Sequence, residues 1–182
     1  MTTDESQDAN ETLHDDSSVE GDDDDKGSSN PLSILFAPDM AIWNEARRLI
    51  TDASVRVENL AVVCVQDPVI MLELLRISNA MYFSAGRSAI TSPRTAIVRL
   101  GSDVVLETLE KIVERPQIKS EDVKRWFDVH RSRCKRTGIV CRLFAEAIAR
   151  NLSDDCQAAG CLISVGEMLA TVHFQEEYVR LA

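Results

Sequence analysis

Hydrophobic residues after Pro31 recur at the spacing of one face of an α-helix. Ile42, Ala46 and Leu49 follow one another at intervals of four and three residues, which predicts an amphipathic helix that begins near Asp39. The same period returns in a second stretch, which contains Val57, Leu60, Ala61, Cys64 and Val65. No stretch alternates between apolar and polar residues for long enough to predict a strand, so the pattern indicates an all-α fold class.

Start and stop signals extend this series of helices along the chain. Asp67-Pro68 and Ser92-Pro93 each place a capping side chain before a proline, whose missing N–H is harmless in the first turn. Gly101 predicts the end of the helix that starts at Ser92, and a further helix runs from Ser102 until Pro116 stops it.

The second half of the chain predicts longer helices. One runs from Ser120 to about Arg150, an apolar one follows from Ser153, and another begins at Phe174, which makes about seven to eight helices in all. The helix from Ser120 carries an apolar seam at intervals of four and three residues, formed by His130, Cys134, Thr137, Cys141, Phe144 and Ile148.

The first 30 residues differ from the rest in composition. They hold 11 acidic side chains and one basic one, so this segment alone accounts for the net charge of −10, and the remaining acids and bases balance. Too few apolar groups are present to offset the cost of ordering the backbone, which predicts a disordered acidic tail over 1–30. Asp22-Asp23-Asp24-Asp25-Lys26 has the form of a protease tag site, although a natural tail is at least as well supported. The tail is interpreted as a solubilising segment, with a pseudo-ligand for a basic surface as the alternative.

Composition excludes several classes of protein. The absence of net positive charge in the helical part argues against nucleic-acid binding as a function. The five cysteines form no CxxC pair and lie in apolar runs, which favours free thiols in a reducing cytoplasm over disulfides or a zinc site. Between Cys156 and Gln175 only Glu167 is ionised. A carboxylate at the centre of a membrane-spanning helix costs roughly 2.5–3.5 kcal/mol. We therefore interpret this stretch as a core helix and expect no membrane association. We also expect no cofactor.

One block of sequence carries a family resemblance. It combines a DP helix start, a Leu-Leu-Arg-x-x-Asn segment followed by Tyr, an I-x-S bend and an A-I-x-x-L-G helix end. These elements contain Asp67, Pro68, Leu74, Leu75, Asn79, Tyr82, Ile90, Ser92, Ala96, Ile97, Leu100 and Gly101. The block resembles the HDOD family of bacterial signalling modules, which are related to HD metal-dependent phosphohydrolases. We interpret these residues as structural, with Asn79 satisfying free carbonyls or an adjacent loop.

The resemblance implies a domain organisation and a non-catalytic role. It implies an N-terminal helical lobe over 31–118 and a partial HD-related lobe over 119–182, following the tail. HD enzymes hold a metal with a histidine and an adjacent His-Asp pair, and the positions that match those ligands here are Thr137, Ile163 and Ser164. Because isoleucine has no donor atom, we expect neither metal nor phosphohydrolase activity, and we interpret His130 as a helix-face or partly buried histidine.

The resemblance therefore favours a regulatory module that acts through protein–protein contacts. The alternative is a divergent HD phosphohydrolase with an unorthodox ligand set, and a weaker one is a nucleic-acid-associated regulator. The partner and the input signal are not encoded in any motif.

Two further features of the sequence bear on the surfaces of the predicted helices. Arg131, Arg133, Lys135 and Arg136 cluster on the long helix, either as a solvated face or as a contact for an anionic ligand. Residues 158–172 are apolar on most of the helix circumference. Such a helix needs cover on all sides, so the chain is expected to be a shortened product of a longer domain or to form a homodimer through this segment.

Overall fold

The chain folds into α-helices joined by short connections. The computed structural model describes residues 37–52, 54–83 and 88–181, with the backbone alone for 81–83 and 176. The predicted tail, 1–30, and the side chain of Tyr82 lie outside this described part. Within it there are seven α-helices and no strand, which confirms the all-α class: α1 Met40–Thr51, α2 Val57–Cys64, α3 Pro68–Phe83, α4 Pro93–Val113, α5 Glu121–Ile148, α6 Ser153–Leu162 and α7 Val165–Leu181.

Three helices begin at the caps that the sequence predicts. The Asp39 carboxylate accepts hydrogen bonds from the N–H groups of Ala41 and Ile42 at the start of α1. Ser92 and Ser120 accept from the third residue of α4 and α5 through their hydroxyl oxygens. Each cap satisfies backbone donors that have no partner inside the helix.

Gly101 divides α4 into two helical parts. Its backbone has φ 74° and ψ 166°, a conformation open to glycine because it has no Cβ. The predicted boundary between two helices at Gly101 is therefore present, and α4 consists of two helical parts that meet at this residue. Leu100 before the kink and Val105 after it are both buried, so the same core holds both parts of α4.

The region after α5 departs further from the prediction. A 3₁₀ turn, Arg150–Leu152, joins α5 to α6, and Ser153 is the first residue of α6 rather than its side-chain cap. The single apolar helix expected here is two helices with a break at Ile163 and Ser164. The further helix expected from Phe174 corresponds to the last part of α7, which follows a kink. A kink at Gln175, with φ 36°, redirects its last residues.

One hydrophobic core draws on every helix from α1 to α7. The residues expected to need an external partner, 158–172, are largely covered by the chain itself, because Ala158, Cys161, Val165, Met168 and Val172 are all buried. That expectation is wrong for this segment. No helix in the described ranges combines the length and apolarity that crossing a membrane requires.

The largest group of exposed apolar side chains on one helix of the described part lies on α5, although Ile163, Phe174 and Leu181 are also exposed. The predicted seam of α5 is buried at His130 and Cys134, but Phe144 is 68 % exposed and Ile148 is 84 % exposed. Gly138 and Ala145 are buried in this half of the helix. The apolar seam is exposed in this half of α5 because α6 packs against the side of the helix that carries the small residues Gly138 and Ala145.

Candidate functional site

Within the block that carries the family resemblance, Asn79 joins the last turns of α3 to the segment that precedes α4. Asn79 donates from Nδ2 to the carbonyl oxygens of Leu75 (2.7 Å) and Ile90 (2.9 Å), and its Oδ1 accepts from the Ile90 N–H (2.8 Å). Ile90 is thereby held in the core, where it is buried. The structural interpretation of Asn79 and Ile90 agrees with these contacts.

A buried carboxylate joins α1, α3 and α5. Asp67 is fully buried, and its Oδ1 accepts from the N–H groups of Val69 (2.8 Å) and Ile70 (3.1 Å) at the start of α3. Its Oδ2 accepts from the Asp39 N–H at 2.8 Å and lies 3.8 Å from Nε of Arg131. Burial raises the pKa of Asp67, while Arg131 and the three N–H groups act in the opposite direction.

A second polar cluster connects α5 to α7, and we call it the His130 cluster. Tyr178 and Nε2 of His130 share a hydrogen bond of 2.8 Å. On the other side of the ring, Nδ1 lies 3.2 Å from Oε2 of Glu167 but makes no well-directed hydrogen bond. Arg133 donates from Nη1 to both Glu167 oxygens, at 3.0 and 2.9 Å. Trp126 stacks on the imidazole with ring centroids 6.2 Å apart.

The sequence reasoning missed this cluster, because its members come from positions far apart in the chain. His130 and Tyr178 are 48 residues apart, and Tyr178 lies three residues beyond the kink at Gln175. The signal available in the sequence was a histidine in an apolar seam, which indicates a buried ring in need of polar partners. The seam does not identify those partners.

The environment of the cluster sets the charge of its members. Burial lowers the pKa of His130 and so favours the neutral imidazole, while the negative charge of Glu167 acts to raise that pKa and offsets part of the effect. Burial acts to raise the pKa of Glu167, but hydrogen bonds from Ser164 and Arg133 outweigh it and lower that pKa. The titratable side chains of the His130 cluster thus form hydrogen bonds or ion pairs with one another.

The positions that match the HD metal ligands do not converge on a donor set. Ile163 is 72 % exposed, whereas Ser164 is buried and bonded to Glu167. Thr137 lies where α5 crosses α6, with its carbonyl against Gly160. Among the side chains that the structure describes, no group of three or more His, Cys, Asp or Glu residues could hold a metal ion.

The basic residues of α5 are divided among different surroundings. Arg131 donates to the Ala37 carbonyl at 3.1 Å and stacks 4.8 Å over the Phe127 ring. Arg133 pairs with Glu167, and Arg136 donates from Nε to the Ser132 carbonyl at 3.3 Å. Lys135 is half-buried. The predicted anionic contact therefore does not form a single open cluster of cations.

A small cleft separates α2 and α4 from α5 and α6. It encloses about 200 Å³ and is lined by two arginines and two carboxylates among other residues. Arg94 pairs with Glu58 at 2.6 Å, and Arg142 donates to Gln157 at 2.9 Å and lies 3.7 Å from Asp154. Ligand pockets usually enclose about 300–1,000 Å³, so this cleft is small and its charges are already paired.

The outer side of α5 carries a continuous apolar surface, which we call the α5 face. It consists of Ile139, Val140, Leu143, Phe144 and Ile148, whose exposed fractions run from 41 % to 84 %. Leu152 in the 3₁₀ turn extends it and is 47 % exposed. A group of exposed apolar side chains on one helix is typical of an interaction surface.

Comparisons with known proteins agree with this architecture. The family model for the HDOD domain matches residues 37–182. The MmoQ response regulator from Methylococcus capsulatus str. Bath aligns with a TM-score of 0.65 at 20 % identity, over 82 % of this chain and 61 % of its own. A virulence factor from Campylobacter jejuni subsp. jejuni aligns with a TM-score of 0.61 at 18 % identity, over 82 % of this chain and 54 % of its own.

These similarities support an assignment at the level of the fold and of the domain family. At such identities the solved structures show a common fold, and the chain spans about three-fifths and about half of their lengths. No curated protein matched the sequence. Because the family model covers all the helices described above, the chain belongs to the HDOD domain family, a signalling-related family of HD-like domains.

Proposed function

We propose that this chain is a non-catalytic HDOD-type signal transduction module that acts through protein–protein contacts. The observation that carries the proposal is the α5 face, where large apolar side chains such as Leu143 and Phe144 are 60 % and 68 % exposed. Exposure of this kind is unfavourable for a chain in water and is relieved by burial against a partner. The module would signal by presenting this face.

The His130 cluster supports the non-catalytic part of the proposal. A general acid or base must come within about 3 Å of the atom that it protonates or deprotonates. The His130 side chain is only 5 % exposed and already faces Glu167 on one side and Tyr178 on the other. The cluster is therefore arranged to join α5 to α7 rather than to meet a substrate.

The cysteines support a cytoplasmic location. Cys64, Cys134 and Cys161 are free and buried. Burial raises the pKa of Cys64 and Cys161 to about 12 and that of Cys134 to about 11, so these thiols stay protonated at neutral pH. Free thiols of this kind are typical of proteins in reducing compartments.

Metal content and hydrolysis test the non-catalytic part. Purified full-length chain, supplied with Mn²⁺, Mg²⁺, Fe²⁺ or Zn²⁺, is expected to retain no stoichiometric metal and to leave bis(p-nitrophenyl) phosphate and nucleotides intact. One bound metal per chain, together with hydrolysis that is lost in His130→Ala, would overturn the proposal in favour of a divergent HD phosphohydrolase.

Site-specific photo-crosslinking tests the contact part. The photoreactive residue p-benzoylphenylalanine replaces Phe144 in the full chain within its own cells, and the control carries it at Val98, an exposed valine of α4. A discrete protein adduct is expected from position 144 and none from position 98. Equal labelling at both positions, or none at 144, contradicts the proposal.

A further inference from the structure

We propose that the last part of α7, residues 176–181, is a latch that opens and closes on α5 about the backbone of Gln175. We call these residues the α7 latch. In the closed state, which the structure shows, Tyr178 covers the ring of His130. In the open state the ring meets water, and protonation of His130 favours that state. This inference goes beyond the proposed function, because it does not depend on what binds the α5 face.

The hinge is the strained backbone of Gln175. Its φ of 36° and ψ of −105° lie outside the regions open to residues that carry a Cβ. No other non-glycine residue of the described ranges has a positive φ. The side chains of Phe174 and Gln175 are exposed, so they do not fix this conformation. Such a backbone persists only where contacts elsewhere hold it, which places the restraint in the latch.

The α7 latch is held on α5 mainly by Tyr178. Its hydroxyl shares a hydrogen bond of 2.8 Å with Nε2 of His130, and its ring meets that of Trp126 edge-on with centroids 6.5 Å apart. Val179 is half-buried, and the other described side chains of the latch are exposed. A cavity of about 270 Å³ borders Gln175 between α7 and the start of α5. The backbone therefore has room to turn once Tyr178 leaves the ring.

The neighbours of His130 fix which of its nitrogens carries the proton. Nδ1 faces Oε2 of Glu167 at 3.2 Å, and an ionised carboxylate can only accept a hydrogen bond. The neutral ring therefore carries its proton on Nδ1, and Nε2 accepts from the Tyr178 hydroxyl. The closed latch thus matches the neutral ring.

Protons act on the latch through the burial of this ring. Burial lowers the pKa of His130 in the closed state. Glu167 on α7 favours the charged ring and Arg133 on α5 opposes it, and Tyr178 is the third titratable group that faces it. Opening removes part of the burial, so the open state binds a proton more readily than the closed one. Acid therefore shifts the equilibrium towards the open latch.

Hydrogen–deuterium exchange of the full chain tests the latch, with peptides that separate 165–174 from 176–181. After correction for intrinsic rates, we expect exchange in 176–181 to increase at least about twofold from pH 7 to pH 5. Tyr178→Phe removes only the hydroxyl and should accelerate exchange there about 10-fold. Gln175→Gly should slow it, because glycine adopts this backbone without strain. Exchange in 165–174 should stay unchanged in both variants.

Two further variants complete the experiment. Phe174→Ala, at an exposed residue beside the hinge, is the matched control and should leave exchange in the latch as it is. His130→Gln, shown by circular dichroism to be folded, should remove the dependence on pH because glutamine does not titrate.

Four results would overturn the latch. These are unchanged exchange in Tyr178→Phe, equal acceleration on both sides of residue 175, faster exchange in Gln175→Gly, and a pH effect that persists in His130→Gln. None of them bears on the proposed function, which metal content, hydrolysis and cross-linking from position 144 test separately.

Discussion

Asp67 combines two tasks that the sequence motif shows only in part. Its position before Pro68 predicts a helix cap, and the contacts with Val69 and Ile70 confirm it. The same carboxylate also accepts from Asp39 and faces Arg131, so it joins the start of α1 to α5. These contacts depend on residues 28 and 64 positions away, which no local pattern contains.

Replacing Asp67 is expected to be costly because several buried groups depend on it. Asp67→Ala leaves three N–H groups without their acceptor and removes the carboxylate that faces the Arg131 guanidinium. We expect the free energy of unfolding to fall by roughly 3–5 kcal/mol. Asp67→Asn keeps an acceptor oxygen and should cost less. Urea titrations measure both, with Asp103→Ala, at an exposed residue of α4, as the control. A loss below about 1 kcal/mol in Asp67→Ala would contradict the role of the carboxylate.

His130 should make the stability of the fold depend on pH. Its pKa is lowered from 6.5 in the folded chain by burial, so the unfolded chain binds a proton at higher pH than the folded one. Stability from the neutral ring is therefore present above pH 6.5 and is lost as pH falls through the lowered pKa of the folded state. Arg133, Glu167 and Tyr178 are the ionisable groups that face the ring in the His130 cluster.

A His130→Gln variant separates this effect from that of the carboxylates. We expect the free energy of unfolding of the natural chain to decrease between pH 7 and pH 5 more steeply than that of the variant. Below pH 4.5 both should lose stability, because Glu73 and Glu167 have pKa values below 4.5 in the folded state. Parallel curves from pH 7 to pH 5 would show that the ring does not act in this way.

At the scale of whole helices, the crossing of α5 and α6 depends on two glycines. A Cβ at Gly160 would lie 2.6 Å from Sγ of Cys141 and 2.9 Å from the Thr137 carbonyl oxygen, and one at Gly138 would lie 2.9 Å from the Gln157 carbonyl oxygen. The helices therefore approach more closely than side chains would permit. This close approach buries Ala145 and leaves Phe144 on the outside.

Gly160→Ala tests the importance of this crossing. We expect a loss of roughly 1–3 kcal/mol in the free energy of unfolding, because the new methyl group overlaps backbone as well as side-chain atoms. Gly166→Ala in α7 is the matched control, since a Cβ there meets no atom within 4 Å, and it should be neutral or stabilise by about 0.5–1 kcal/mol. Thermal unfolding followed by circular dichroism compares the two. Equal effects would mean that the close approach is unimportant for stability.

For the molecule as a whole, charge and fold are separated along the sequence. The 11 acids of residues 1–30 account for the net charge of −10, whereas the buried hydrophobic residues of the part that the structure describes lie between Ala37 and Val172. Solubility and stability are thus expected to depend on different parts of the chain.

Deletion of residues 1–30 tests this separation. We expect helix content to be unchanged and the melting temperature to move by less than about 2 °C, because this segment has too few apolar residues to contribute to a core. Solubility near neutral pH should fall, since the remaining charges balance. Circular dichroism melts and precipitation assays measure the two properties, and a large drop in melting temperature would show that the tail contributes to the fold.

The sequence by itself determined the features that depend on neighbouring residues. Helix starts at Asp39, Ser92 and Ser120, the special backbone at Gly101 and the helical class follow from caps, periodicity and backbone sterics, which act over a few residues. The role of Asn79 was predicted as well, because an amide near the end of a helix has few partners other than free backbone groups.

Tertiary structure alone decided which helix faces are covered. The seam through Phe144 and Ile148 has the pattern of a buried face, yet the close approach at Gly138 and Gly160 turns it outward. The break at Ile163 and Ser164 and the meeting of His130 with Tyr178 depend in the same way on elements that arrive from elsewhere in the chain. Periodicity specifies that one side of a helix is apolar, but burial is a property of the space beside it, and that space is filled only when the whole chain has folded.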